Sequence, residues 1–270
     1  MTAPTTSSIA AARTAPRTGP PEWLRFVAPI AVGVIIVAVW ILLVDVLKVA
    51  PRALPSPVAI GENLVQHFGI ILAGMQITAT NALIGLAAGT IVGIVLAALA
   101  ATLKPVDGML VPIIAAIAVV PIVAITPILN TMFGASSQFG RQAVAGLAAF
   151  VPVFINVLRG LRQTRPVHRD LLRSSAANGF QTFRILTLPT ALPYLMTGLR
   201  IASSLAVISA LVAEYFGGPS DGIGTAIATY AKSGRSALAW AFVAGAIAIG
   251  LVFFLVTSLL ERLVTRRRSG

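Results

Sequence analysis

The sequence predicts an all-α polytopic membrane protein with six transmembrane helices. Three observations carry that prediction. Of the 270 residues, 57% are hydrophobic and only 10% charged, with mean hydropathy +0.93, whereas soluble domains carry about 25% charged residues. The apolar residues come in runs of about 20, the length a helix needs to cross a hydrocarbon core. The cations flank those runs, so the net charge of +12 reads as the flank of a membrane protein rather than a nucleic-acid surface.

The elements follow in order. Residues 1–24 are rich in Ala, Thr, Ser and Pro and are expected to form a disordered cytoplasmic tail. Prolines and arginines before Trp23 leave no apolar core for a signal peptide. The membrane domain covers 25–265, and 266–270 is a short basic tail. The six spans are expected near 27–47, 76–101, 108–130, 142–159, 190–214 and 238–260. Between the first two, Pro55, Ser56, Pro57 and Glu62 suggest a short amphipathic helix on the outer surface. An even count puts both termini on one side. With the termini inside, fourteen Lys and Arg are cytoplasmic and five, Arg141 among them, are external, which sets the orientation.

Several residues inside the spans call for a reason. Gly85, Gly89 and Gly93 recur every four residues and share one helix face, with Thr78 and Asn81 a turn away. That face is either a close helix–helix contact or the lining of a path. The third span holds Pro112, Pro121 and Pro127, and each proline removes a backbone donor. Such a span kinks, and either lines a cavity or bends around one. Asn81, Pro121, Pro127, Asn130, Ser204 and Glu214 are the candidate path or gate residues. Polar residues within spans, including Asn156, Ser203 and Ser209, otherwise act as hydrogen-bonding glue between helices. Glu214, at the end of the fifth span, is a gate or proton site, or it caps or salt-bridges at the outer interface. Arg200 is expected to snorkel to the cytoplasmic surface, and Asp45 outward. The run Gly217–Gly224 reads as a flexible external turn.

The same inventory excludes function classes. There is no Cys, and the two His lie far apart, so neither a metal site nor a Ser-His-Asp triad is supplied. No G-x-x-x-x-G-K-[ST] occurs, so no cofactor is expected on this chain, and any ATP would be bound by a partner subunit.

The polar interruption at 160–189 carries the most functional information. Pro166 can open a helix, HRDLLRSSAANGF supplies helix formers, and Asn178-Gly179 offers a break or C-cap. Apolar residues resume at Phe180, Phe183, Leu186 and Leu188, and Pro189 leads into the fifth span. The segment exposes arginines to water and an apolar ridge to something else: a lipid surface, or a soluble partner.

This stretch resembles the EAA loop of binding-protein-dependent ABC importer permeases. Aligned on Leu188-Pro189, Asp170 falls at the acidic position, and Phe180, Phe183, Leu186 and Leu188 match. Ala176 stands where the family has glycine, and Leu171 and Leu172 replace two alanines. LPSPVAIGENL, VPIVAITPILNTMFG and GLRIASSLAVISALVAEYFGGPSDGIGTAI are similar to further elements of the branch importing sulfonates, taurine, nitrate, bicarbonate or the thiamine pyrimidine. The resemblance implies a type I ABC importer permease fold in a prokaryotic inner membrane. It implies a second permease copy, a homodimer or a paralogue, a cytoplasmic ATP-binding subunit and an extracytoplasmic substrate-binding protein. It makes 160–189 a coupling loop, with Asp170, Leu172, Arg173, Ala176, Ala177, Gly179, Phe180, Phe183 and Pro189 at the ATPase contact. The chain itself is then no enzyme and binds lipid but no nucleic acid. An ion-coupled secondary transporter is the alternative, but paired mid-membrane ionisable residues are almost absent. The substrate stays open between a nitrogen heterocycle and a sulfonate, nitrate or other solute.

Overall fold

The computed structural model describes residues 22–134 and 136–266. Most of the two expected tails, 1–21 and 267–270, lies outside them; Glu22 to Leu24 already belong to the first helix, and Arg266 ends the last. The described residues are helical with no strand. Five helices are long and apolar enough to cross a membrane, or six if one sharply bent pair counts as a span.

The chain divides into two units at Val49. The first holds α1 (Glu22–Ile41), extended by a π-helical segment Leu42–Val46 that contains the exposed Asp45. The second holds the bundle: α2 (Pro57–Gln66), α3 (Phe68–Thr102), α4 (Lys104–Val119), α5 (Ile122–Phe133) and α6 (Phe139–Arg162). It continues with α7 (Pro166–Ser174), α8 (Gly179–Thr182), a π-helical segment Phe183–Thr187, α9 (Leu188–Tyr215), α10 (Ile223–Lys232) and α11 (Ser236–Arg266).

The core of the bundle is α6 wedged between α3 and α9. Lipid tails are as apolar as leucine, so helices in a membrane associate where small residues let backbones approach. The glycine stripe of α3 does this. A Cβ at Gly85 would stand 2.6 Å from that of Ala145, one at Gly89 would strike the Gly146 carbonyl, and one at Gly93 would come within 3.0 Å of Val153. The stripe is therefore a packing face. Alanines continue the pattern, with Ala145 and Ala149 of α6 and Ala202, Ala206, Ala210 and Ala213 of α9 all buried. Across α9 and α11, Ser203 and Thr257 share a hydrogen bond of 3.0 Å. Asn156 turns back onto its own helix, donating to the Pro152 carbonyl at 2.8 Å.

Three expectations change. The third span is not one thrice-kinked helix: α4 and the following helix are bent by 101° at the Val120–Pro121 break, and Pro112 and Pro127 sit inside the two pieces. Pro121 has no N–H to continue the ladder, and Ala124 starts the new one by donating to the Pro121 carbonyl. Arg200 does not simply snorkel; it pairs with Glu261 of α11 at 3.0 Å. The run after Glu214 is not a free turn, because Gly222, Ile223 and Gly224 are buried and open α10. The helix expected from Pro55 to Glu62 is present as α2, where Ser56 caps the Ala59 amide and Ile60 and Leu64 face the core.

Candidate functional site

Two places gather the predicted residues, one at each end of the bundle. At the end where α6 leaves and α9 begins, the chain projects α7, α8 and the π-helical segment. Pro166 opens α7 at its first turn. Its C-terminus closes in a Schellman motif, with Ala177 N–H donating to the Leu172 carbonyl and Ala176 N–H to that of Arg173, both at 3.0 Å. That closure puts Ala176 at φ 56°, the left-handed region. Ala176 thus occupies a position whose backbone conformation favours glycine.

Of the break or C-cap expected at Asn178-Gly179, the structure shows the break, between α7 and α8. Asn178 caps α8: it accepts from the Gln181 amide while Gln181 accepts from that of Asn178, each at 2.8 Å. The capping box and the Schellman closure stand back to back, so a short loop becomes a defined corner. No residue of α7, α8 or the π-helical segment is buried. Phe180 is 71% exposed, and Leu171, Phe183 and Ile185 are exposed beside it. Asp170 lies 3.8 Å from Arg173 in an exposed pair. Leu172 and Ala177 are half-buried, Gly179 is exposed, and Pro189 is half-buried in the first turn of α9.

At the other end, a buried polar network joins four helices and a loop. Glu214 of α9 has a fully buried side chain. Its Oε2 accepts from the Thr78 hydroxyl of α3 at 2.8 Å and from the Gly224 amide at 2.9 Å. Thr78 in turn accepts from the Ile223 amide at 3.0 Å. The first two free amides of α10 are therefore satisfied by side chains from other helices, and the carboxylate sits at its N-terminus. Arg141, also fully buried, lies with Nη1 4.0 Å from Glu214 Oε1. The same Nη1 donates to Asp221 at 2.8 Å and to Gln138 at 3.1 Å, and Nη2 donates to the Pro219 carbonyl. The loop bends to reach it at Gly217 and Gly218, which have φ of 144° and 94°. Gln138 also donates to Asp221 at 2.7 Å and accepts from Asn81 at 2.9 Å, and Gln142 donates to Asn81 at 3.1 Å.

The network unites Asn81 and Glu214, and Asn130 lies beside it, buried, with neither amide atom hydrogen-bonded among the described residues. Pro121 and Pro127 are exposed and Ser204 is half-buried on α9, outside the network. Sequence reasoning missed Arg141, Gln138 and Asp221 as a unit. A single cation at the head of an apolar run was the available signal, because such a charge needs a partner. Among the described residues no cluster of three or more His, Cys, Asp or Glu could hold a metal.

Comparison with known proteins gives the arrangement a context. A formylaminopyrimidine transport permease of Halalkalibacterium halodurans, ThiX, is 33% identical over 175 residues, covering 64% of this chain and 69% of its own. A putative aliphatic sulfonates transport permease of Escherichia coli, SsuC, is 31% identical over 199 residues, covering 72% and 74%. Further matches bear names of taurine, nitrate and bicarbonate permeases. A solved amino acid ABC transporter superposes with TM-score 0.61 at 16% identity, covering 74% of this chain and 96% of that one, which gives the fold. The family model of the binding-protein-dependent transport system inner membrane component matches residues 89–270. With its bundle of membrane-length helices and that match over most of its length, the chain belongs to the family of binding-protein-dependent ABC transport permeases.

Proposed function

We propose that this chain is the path-forming permease subunit of an importer whose ATP hydrolysis occurs on a separate cytoplasmic subunit, and that α7 to Pro189 is where that subunit docks. The carrying observation is an apolar ridge, Leu171, Phe180, Phe183 and Ile185, held exposed on a corner braced by two capping motifs. Phenylalanines displayed on so ordered a loop suit insertion into a partner's groove better than solvent. Asp170 and Arg173 flank the ridge and set register as rim charges. In this reading both termini and the loop are cytoplasmic, and the Arg141–Glu214 network lies at the outer end, where a binding protein delivers solute. Two copies, or this chain and a paralogue, enclose the path. The names of the relatives divide the substrate between neutral heterocycles and small anions.

The test is to express the chain with its ATPase and introduce Phe180→Asp or Ala176→Arg. Both residues are exposed, so membrane levels should hold while ATPase co-purification and ATP-driven uptake are lost. Normal uptake with the ATPase still bound to both variants would remove the loop from the coupling role.

A further inference from the structure

The polar network has one open side. Where α3 meets the start of α6, a pocket of about 260 Å³ is lined by Gln76, Ile77, Thr80, Asn81, Gln138 and Gln142. It lies on the seam beside the Arg141 network, and Gln142 also lines an apolar groove of about 460 Å³ whose other walls include Ile84, Ala88, Val92 and Leu147. We propose that this pocket is a binding subsite for a neutral, planar solute that carries adjacent hydrogen-bond donors and acceptors, as an aminopyrimidine or other amide-like heterocycle does. The proposal rests on the importer reading above and names the substrate class of its path.

Three observations carry it. Every polar side chain of the pocket is uncharged, four being carboxamides, which offer donor and acceptor on one plane. The pocket is built rather than incidental. Asn81, 2% exposed, is held between Gln138 and Gln142, so its amide fixes the orientation of both neighbours. Gln142 keeps its carbonyl oxygen and one N–H uncommitted by those bonds, and Gln76 extends into the open side. The third is the state of the nearby cation. Arg141 is buried and does not line the pocket: its Nη1 and Nη2 serve Asp221, Gln138 and the Pro219 carbonyl, Glu214 lies at 4.0 Å, and Nε, unpaired among the described residues, lies beside Gly218. A sulfonate or nitrate entering the pocket would leave water and meet no available positive charge, which is costly. A neutral heterocycle meets amides at its edge and the groove's apolar side chains at its face, the pairing found in small-molecule sites.

The test uses the chain co-purified with its ATPase subunit in nanodiscs, with cytosine as the neutral probe and ethanesulfonate as the anionic one. Saturation-transfer NMR should show cytosine bound and ethanesulfonate not, with empty nanodiscs giving neither signal. Gln142→Leu and Gln76→Leu should each weaken the cytosine titration by about three- to tenfold, the loss of one neutral hydrogen bond. Gln76 is exposed and outside the Arg141 network, so its variant keeps the fold where Gln142→Leu disturbs Asn81. Equal binding of cytosine to wild type and both variants overturns the proposal, as does ethanesulfonate binding in its place or a cytosine signal no larger than that of empty nanodiscs. Failure of the wild-type chain to retain the ATPase counts against the importer reading instead, and the same titration on the chain alone then still decides the pocket.

Discussion

Ala176 is a residue in the wrong chemistry for its backbone. At φ 56° it carries a side chain where a Cβ crowds the following carbonyl, a strain of about 1 kcal/mol that glycine does not suffer. Ala176→Gly should therefore tighten the Schellman corner, and hydrogen exchange at the Ala176 and Ala177 amides should slow by about fivefold. Arg141 and Glu214 show the opposite case, costly charges made tenable by each other and by their hydrogen bonds. Removing Arg141 leaves Glu214 buried with no cation beside it, so Arg141→Leu should cost about 3–5 kcal/mol, read as a fall in the thermal midpoint in detergent. Glu214→Gln keeps a carbonyl oxygen for Thr78 and Gly224 and loses only the charge facing Arg141, so its cost should be about 1–3 kcal/mol. The order of the two midpoints decides whether charge or hydrogen bonding dominates there.

Among the elements, the α3–α6 contact is set by a side chain that is missing. Gly89→Ala places a methyl against the Gly146 carbonyl and should cost at least about 1–3 kcal/mol by forcing the helices apart. Gly250 of α11 faces open space, so Gly250→Ala should be neutral or stabilise by up to about 1 kcal/mol. The thermal midpoint should fall for Gly89→Ala and hold or rise for Gly250→Ala. This contact was legible in the sequence because a four-residue spacing can occupy only one helix face. The break between α4 and α5 was legible as a place, since Pro121 lacks a donor, but not as a 101° bend, because the angle depends on what the two pieces pack against. α10 was not legible at all. Its glycine-rich start reads as a turn until Thr78 and Glu214, distant in sequence, arrive to satisfy its first amides.

For the whole molecule, the apolar periodicity and the loop motif carried the architecture and the family, because both are local in sequence. The Arg141 network was not readable, because its members come from α3, α6, α9 and the loop before α10 and only the fold brings them together. Orientation is the property most directly checked. The charge bias predicts that Ser174→Cys, in this cysteine-free chain, stays unlabelled when an impermeant maleimide is added outside intact cells and labels after permeabilisation. Labelling from outside would invert the topology.

The Arg141–Glu214 pair also has a history in time. A ribosome delivers the head of α6, with Arg141, before it delivers Glu214 at the end of α9, Asp221 and the start of α10. During that interval an arginine at the head of an apolar segment disfavours integration by up to about 3 kcal/mol. A nascent chain halted before Glu214 should leave α6 poorly integrated and open to proteolysis, while one halted after α10 should not. On that outcome, the contacts that hold Arg141 in the finished bundle would also set the moment in synthesis at which α6 settles in the membrane.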